Sequence, residues 1–249
     1  MNRAQLYARL TEETPPGGRA AFEALLARRL RREPTAYIIG RREFYGLELD
    51  VTSAAPIPRP ETELLVDEAL AQARRLQPTC AEPHFVDVGT GCGAIALAAA
   101  MHLPTARVTA IDTSQTALDL ARHNAERLGM SERVRFALGD LLSPLAEPTD
   151  IIVANLPYVP SGEWGGLAPE IRCYEPRAAL DGGPDGLRLI ARLLNEAPAR
   201  LRSPGALVLE IGDDQGATVT ALTRKAFPAA AIAVKKDLAS LDRAVLVET

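Results

Sequence analysis

Apolar residues fall along this chain in short runs, broken by glycine, proline and charge, with helix-forming stretches between them. Phe85, Val86 and Val88 make one run. A second covers residues 106–111, a third residues 134–138, and the fourth is Ile151, Ile152, Val153 and Ala154. Runs this short and apolar fit strands buried on both faces. Residues 94–100 are alanine-rich and predict a helix, and another helix is expected from near Gln115. This alternation continues to about Gly212 and predicts an α/β fold with a parallel sheet and helices on both faces. Residues 230–234 and 244–247 read as a closing strand pair. Ahead of the alternation, residues 20–32 read as an amphipathic helix with Phe22, Leu25, Leu26 and Leu30 on one side. Residues 36–51 read as a β-hairpin turning near 40–42, and residues 62–75 as a helix. The stretch 160–186 is rich in glycine and proline and carries the single tryptophan, Trp164. It is expected to be a long structureless loop that covers a substrate and orders when a partner docks.

Between the first run and its helix stand Asp87, Val88, Gly89, Thr90, Gly91, Cys92 and Gly93. Glycines at a strand-to-helix turn allow positive φ and leave no Cβ against a ligand, while N–H groups at the helix start face a polar group. Gly89, Gly91 and Ala94 also fit the permissive dinucleotide fingerprint, so the loop alone leaves two cofactor classes open. Asp87 separates them. A carboxylate just before the glycines suits the ammonium group of a methionine moiety and repels a pyrophosphate. The second strand ends at Asp112, placed to accept both ribose hydroxyls, or else to cap the next helix. The third ends near Asp140 and Leu141, expected at the adenine amino group and ring. The loop therefore reads as a site for S-adenosyl-L-methionine, with Asp87, Gly89, Thr90, Gly91, Cys92, Gly93, Asp112, Asp140, Leu141 and Asn155 around it.

Asn155, Leu156, Pro157 and Tyr158 directly follow the fourth run, where open α/β sheets bind ligands. An amide or aromatic amine delocalises its nitrogen lone pair, and two acceptors on its N–H groups hold the nitrogen and favour tetrahedral character. The Asn155 side-chain oxygen and the Leu156 carbonyl are the natural pair. Pro157 biases Leu156 toward an extended backbone, and Tyr158 offers a flat face over a planar group. These residues are the candidate catalytic set, and the chemistry is methylation of a nitrogen without a strong general base.

Several further segments carry a resemblance: residues 34–40, 44–47, 57–63, 174–180, 183–187 and 209–212, with the glycine loop and residues 155–158. Through them the chain resembles the HemK/PrmC family, the N5-glutamine methyltransferases of class-I peptide chain release factors. The segment 58–63 is the most family-specific. The resemblance implies a seven-stranded class I S-adenosylmethionine-dependent methyltransferase sheet, Rossmann-like, with an antiparallel edge strand. It also implies a helical substrate-docking region over residues 1–34, a β-hairpin linker over 35–55 and a catalytic domain over 56–249. Pro58, Arg59 and Glu61 are implied to join residues 155–158 in binding the substrate, the glutamine of a GGQ loop, in tuning translation termination. Implied too are a monomer in the cytoplasm, a release factor as partner, no direct nucleic-acid binding, no membrane and no metal. The family usually shows Asn-Pro-Pro-Tyr, whereas Leu156 stands at the first proline here. The carbonyl survives and the backbone is less rigid. The amino end also reads as shorter than in the family.

Composition sets the alternatives in order. The chain has 249 residues, 47% hydrophobic and 24% charged, with a net charge of -4. A protein that grips a nucleic-acid backbone is usually basic, so an adenine-N6 nucleic-acid methyltransferase, which shares the Asn155 motif, is disfavoured. A glutamine methyltransferase of a ribosomal protein stays open. A catalytically dead binding module is disfavoured by the presence of Asp87, Asp112, Asn155 and Tyr158. Cys80, Cys92 and Cys173 show neither metal spacing nor a disulfide framework, which fits a reducing compartment. His84, His102 and His123 are scattered and read as structural. The arginine runs at 28–32 and 41–42 read as solvated surface.

Overall fold

The structure is a computed structural model and describes residues 3–9, 11–12 and 16–249. Residues 1, 2, 10 and 13–15 of the expected docking region lie outside the described residues. Seven strands form the central sheet: β1 (His84–Val88), β2 (Arg107–Asp112), β3 (Val134–Leu138), β4 (Thr149–Ala154), β5 (Leu201–Glu210), β6 (Ala231–Lys236) and β7 (Asp242–Glu248). Their order is β6-β7-β5-β4-β1-β2-β3. β1, β2, β3, β4 and β5 pair in parallel. β7 alone is reversed, antiparallel to both β5 and β6.

The reversed strand was expected at the sheet edge; it lies one place inside it. The apolar pattern explains this. Ala244, Val245, Leu246 and Val247 are consecutive and all buried, as an interior strand requires, whereas β6 alternates exposed and half-buried positions and ends in two lysines. Edge strands are blunted in this way against further pairing.

Side chains alternate across the sheet. On β1, Phe85 joins the core under the helices Glu63–Leu76 and Ala94–His102. Val86 and Val88 join the opposite core, under Arg188–Glu196 and Gly216–Ala226. Helix Ala94–His102 buries Ala94, Ile95, Ala96, Leu97, Ala98, Ala99 and Ala100, and its small residues let it lie close to the sheet. Among the described residues no helix is long and apolar enough to cross a membrane.

Three expectations change ahead of and around the sheet. The helix Gly18–Leu30 forms, yet none of its residues is buried, and Phe22 and Leu30 are 62% and 75% exposed. The hairpin Arg41–Phe44 with Leu47–Asp50 turns at Tyr45 and Gly46, not near 40–42. Those two residues have φ of 51° and 78°, as a primed two-residue turn demands. Gly40 instead ends a short helix, Thr35–Ile39, in the left-handed conformation.

The stretch 160–186 is not structureless. It holds 3-10 turns at Ser161–Gly166 and Arg177–Ala179, a helix at Pro169–Tyr174, and a strand, Asp181–Gly183, paired with Val159–Pro160. Its prolines and glycines serve turns and a helix start, Pro169 occupying the first turn of its helix. Glu170 pairs with Arg29 and Arg32, and the Tyr174 hydroxyl donates to the Arg31 carbonyl. These contacts tie it to the N-terminal region. Exposed pairs of this kind contribute about 0–1 kcal/mol each, so the tie is reversible.

The interior placement of β7 is testable by comparing like residues. Val245→Ala should cost about 2–3 kcal/mol, and Val234→Ala on the edge strand about 1 kcal/mol or less. Urea unfolding of the two variants beside the parent measures the difference.

Candidate active site

The glycine loop and residues 155–158 leave the same end of adjacent parallel strands, since Val88 pairs with Ala154. They meet at once. Gly89 has φ of 76°, and a Cβ there would stand 3.3 Å from the Asn155 carbonyl oxygen. Two hollows open on either side of this meeting. One, of about 300 Å³, is lined by Gly89, Gly91, Asp112, Ser114, Asp140 and Leu141, among others. The other, of about 110 Å³, is lined by Pro58, Arg59, Thr62, Thr90, Cys92, Tyr158 and Glu210, among others. Gly89, Gly91, Asn155, Leu156 and Pro157 line both. Residues expected at the cofactor and at the substrate thus share one wall.

Asp112 is held to the loop. Its Oδ2 accepts from Gly91 N and its Oδ1 from Ser114 N, both at 2.9 Å. A carboxylate has about four acceptor positions, so two remain for a ligand. Helix Gln115–Arg127 is capped by Ser114, whose hydroxyl accepts from Ala117 N, so Asp112 is not the cap. Asp140 lines the larger hollow but also pairs with Arg192 at 2.6 Å. Leu141 beside it is buried with φ of 47°, a strained conformation for leucine, and faces the same hollow.

Asp87 is placed differently from the expectation of direct contact with an ammonium group. It is fully buried and lines neither hollow. Its Oδ2 accepts from Thr90 Oγ1 at 2.6 Å and Ala96 N at 3.1 Å, and so pins the loop to the helix that follows. Among the described residues its buried Oδ1 has no partner. Burial pushes its pKa up to about 7, against the two hydrogen bonds. Cys92 is a buried thiol with its pKa pushed up to about 12 by burial.

Asn155 Nδ2 donates to Thr62 Oγ1 at 3.2 Å, and Thr62 Oγ1 donates to Glu210 Oε2 at 2.7 Å. Among the described residues nothing donates to Asn155 Oδ1 or to the Leu156 carbonyl. The Tyr158 hydroxyl donates to Glu210 Oε1 at 3.3 Å, and burial raises its pKa above the ordinary phenol range. Glu210 is 2% exposed, and burial pushes its pKa up to about 6. Arg59 lines the smaller hollow with its guanidinium on Glu175, which also accepts from Ile57 N. Glu61 lines neither hollow. It is exposed on the outside of the turn Pro60–Thr62, whose inward residue is Thr62. Behind residues 155–158, Gly186 has φ of 74°, and a Cβ there would lie 2.2 Å from the Tyr158 carbonyl. Only glycine lets that loop press so closely.

A relative from Moorella thermoacetica named release factor glutamine methyltransferase is 44% identical over 247 residues, 99% of this chain and 86% of its own. The chain belongs to the release factor glutamine methyltransferase family. Family members from Geobacter sulfurreducens and Chlorobaculum tepidum are 43% and 41% identical, over 88% and 98% of this chain and 75% and 84% of theirs. Two family models match: the PrmC N-terminal domain at residues 1–40 and the methyltransferase small domain at 62–165. Among solved structures, the catalytic domain of hMettl16 with an RNA hairpin aligns at a TM-score of 0.63 and 15% identity, over 86% of this chain and 80% of that one. A T. thermophilus 16S rRNA methyltransferase in complex with AdoMet and guanosine aligns at 0.57 and 20% identity, over 84% and 49%. These two likenesses show the fold alone.

The release factor glutamine methyltransferase family is thus the one that the sequence resemblance named, not the adenine-N6 alternative. The residues present fit S-adenosylmethionine, the cofactor that the family and the class I fold imply. The larger hollow presents the half-free carboxylate of Asp112, and Asp87 holds the glycine loop from beneath. Sequence reasoning passed over Thr62, Glu175 and Glu210. Thr62 and Glu210 stood inside the segments 57–63 and 209–212 that carried the resemblance, and their adjacency across the fold had no local signal.

Asp87 makes a prediction about stability. Its native pKa lies above the ordinary carboxylate range, at about 7. The native state therefore holds this proton more tightly than the unfolded chain. The contribution is fully present below the ordinary carboxylate range and lost as pH rises through about 7. Asp87→Asn should flatten the fall in Tm between about pH 4 and pH 7. Thermal unfolding of parent and variant across that range reads the difference.

Proposed function

We propose that this protein transfers a methyl group from S-adenosylmethionine to the side-chain amide nitrogen of a glutamine in a class-I peptide chain release factor, in a glycine-flanked loop. One observation carries the reading. Asn155 stands in the wall between the two hollows with its NH2 group held from behind by Thr62. Its Oδ1 and the Leu156 carbonyl are then the acceptors for the two N–H groups of a glutamine amide. When bound, S-adenosylmethionine supplies an electrophilic methyl group on a sulfonium.

Asp112 accepts the ribose hydroxyls, Asp140 and Leu141 meet the adenine, and the loop 89–93 lies against the methionine portion. Asp87 acts through the loop. Asn155 and Leu156 orient the amide, and Tyr158 covers its plane. Tyr158 stays a phenol, because burial and the neighbouring Glu210 carboxylate both oppose its ionisation. No side chain needs to act as base, since the methylated nitrogen is acidic and loses its proton to water. Pro58 and Arg59 form the outer wall of the smaller hollow. Residues 1–34, inside the stretch matched by the N-terminal domain model, dock the release factor through the exposed Phe22 and Leu30. The reading places a monomer in the cytoplasm, acting on protein and not on nucleic acid.

The deciding experiment is transfer of labelled methyl to a purified release factor, beside a copy with the target glutamine changed to glutamate. The glutamate has no N–H to donate and should take no label. Label on both copies equally overturns the reading.

Asp112→Ala should weaken cofactor binding roughly ten- to a hundredfold, since hydrogen bonds to a charged group contribute about 1.5–3 kcal/mol. Asn155→Ala should abolish transfer and leave that affinity within about twofold. Titration calorimetry and rate measurement on both variants separate the two roles.

Phe22→Ser combined with Leu30→Ser should raise KM for whole release factor by about tenfold, the equivalent of about 1.4 kcal/mol, with kcat and cofactor affinity unchanged. Steady-state kinetics with the intact factor is the measurement.

A further inference from the structure

We infer that Glu210 and Thr62 are positioning residues that fix which end of the Asn155 amide faces the substrate. The inference rests on the reading of Asn155 as the holder of the substrate amide, and extends it to residues that touch no reactant.

The amide of asparagine has nearly the same shape in its two flipped orientations, so shape alone does not choose between them. Only hydrogen bonding does. In this site the choice is made by a one-way chain that starts at the end of β5. Glu210 is 2% exposed, and its carboxylate accepts from two hydroxyls: Thr62 at 2.7 Å on Oε2 and Tyr158 at 3.3 Å on Oε1. An ionised carboxylate only accepts. Thr62 is 4% exposed, and its single hydroxyl proton is committed to Glu210. Its oxygen then has only lone pairs to offer Asn155, 3.2 Å away. The Asn155 atom that meets it must be the NH2 nitrogen. Oδ1 is thereby turned to the other side, into the wall shared by the two hollows.

Without the chain the two orientations become comparable in energy. In the wrong one, the NH2 of Asn155 meets the NH2 of a glutamine, and neither donor has an acceptor. Misorientation costs turnover, while Glu210 and Thr62 stand clear of Asp112, Asp140 and Leu141 in the larger hollow.

The test compares Thr62→Val, Thr62→Ser and Glu210→Gln for kcat, KM, cofactor Kd and Tm, with a release factor as substrate. Valine keeps the volume of threonine and lacks the hydroxyl; serine keeps the hydroxyl and lacks the methyl. The expected order is a fall in kcat of about ten- to a hundredfold for Thr62→Val and within about threefold for Thr62→Ser, with cofactor Kd unchanged in both. A packing role gives the reverse order, with Thr62→Ser the poorer enzyme and the less stable protein, and that result overturns the inference. Glu210→Gln supplies a second reading, because its amide can donate to Thr62 and let the chain run either way. It should lower kcat by about tenfold with its cofactor Kd unchanged, and parental kcat in this variant also overturns the inference. Asn155→Ala distinguishes the two levels. Full activity in that variant defeats the underlying reading of Asn155. Loss of activity there, with parental kcat in Thr62→Val, defeats only the role of Thr62 and Glu210.

Discussion

The parallel pairing of β1 with β4 is the constraint on which the site depends. It sends two loops out of the same sheet end from neighbouring strands, with Val88 beside Ala154. The first residues of those loops, Gly89 and Asn155, cannot avoid each other. Gly89 lacks the Cβ that would otherwise come to 3.3 Å from the Asn155 carbonyl. The contact forms the wall that separates the larger hollow from the smaller one, so the two hollows are set by strand order before any polar side chain acts. Ligand sites at the carboxyl ends of strands in open α/β sheets follow the same geometry.

The segment after Tyr158 keeps that wall in place. Its glycines at 182 and 186 approach the Pro157 and Tyr158 carbonyls more closely than any side-chain-bearing residue allows. Gln215, from the helical side, donates to the Tyr158 carbonyl at 3.0 Å. Glu175 holds Arg59 and the Ile57 amide, which fixes the far rim. The backbone around the wall is thus held by loops that are remote in sequence. The less rigid Leu156, where the family usually carries proline, is compensated by this packing, with its side chain buried against the sheet.

What could be read from the sequence followed a physical division. Strands β1 to β4, the helices between them and the glycine loop are local patterns of apolar period and turn chemistry, and they stand within a few residues of the expectation. The places of Asn155 and Asp112 follow from strand-end position, which is a topological rule. Glu61 and the buried Asp87 line neither hollow, and the sequence did not show this because neighbouring residues on a tight turn or strand differ in direction, and composition does not carry direction. The order within 160–186 was misread because glycine and proline mark ordered turns and helix starts as well as disorder. Thr62 and Glu210 were illegible because their contact joins residues 148 apart. The hairpin turn at Tyr45 and Gly46 was lost to a stronger glycine signal five residues earlier, which ends a helix instead.

The sheet end carries two carboxylates whose burial opposes folding. Asp87 on β1 and Glu210 on β5 are both buried, and burial raises the pKa of each. Each accepts a hydrogen bond from a threonine hydroxyl, Thr90 in one case and Thr62 in the other. Hydroxyls were available in both turns at little cost, but a buried carboxylate is expensive unless its hydrogen bonds do something an apolar residue cannot. Here each pair fixes a direction. Asp87 with Thr90 sets the path of the glycine loop, and Glu210 with Thr62 sets the facing of the Asn155 amide. A leucine in either place would pack and leave its loop free to rotate. The same acceptor–hydroxyl arrangement, repeated on two strands, turns a surface that the sheet supplies for structural reasons into one with a defined donor side and a defined acceptor side.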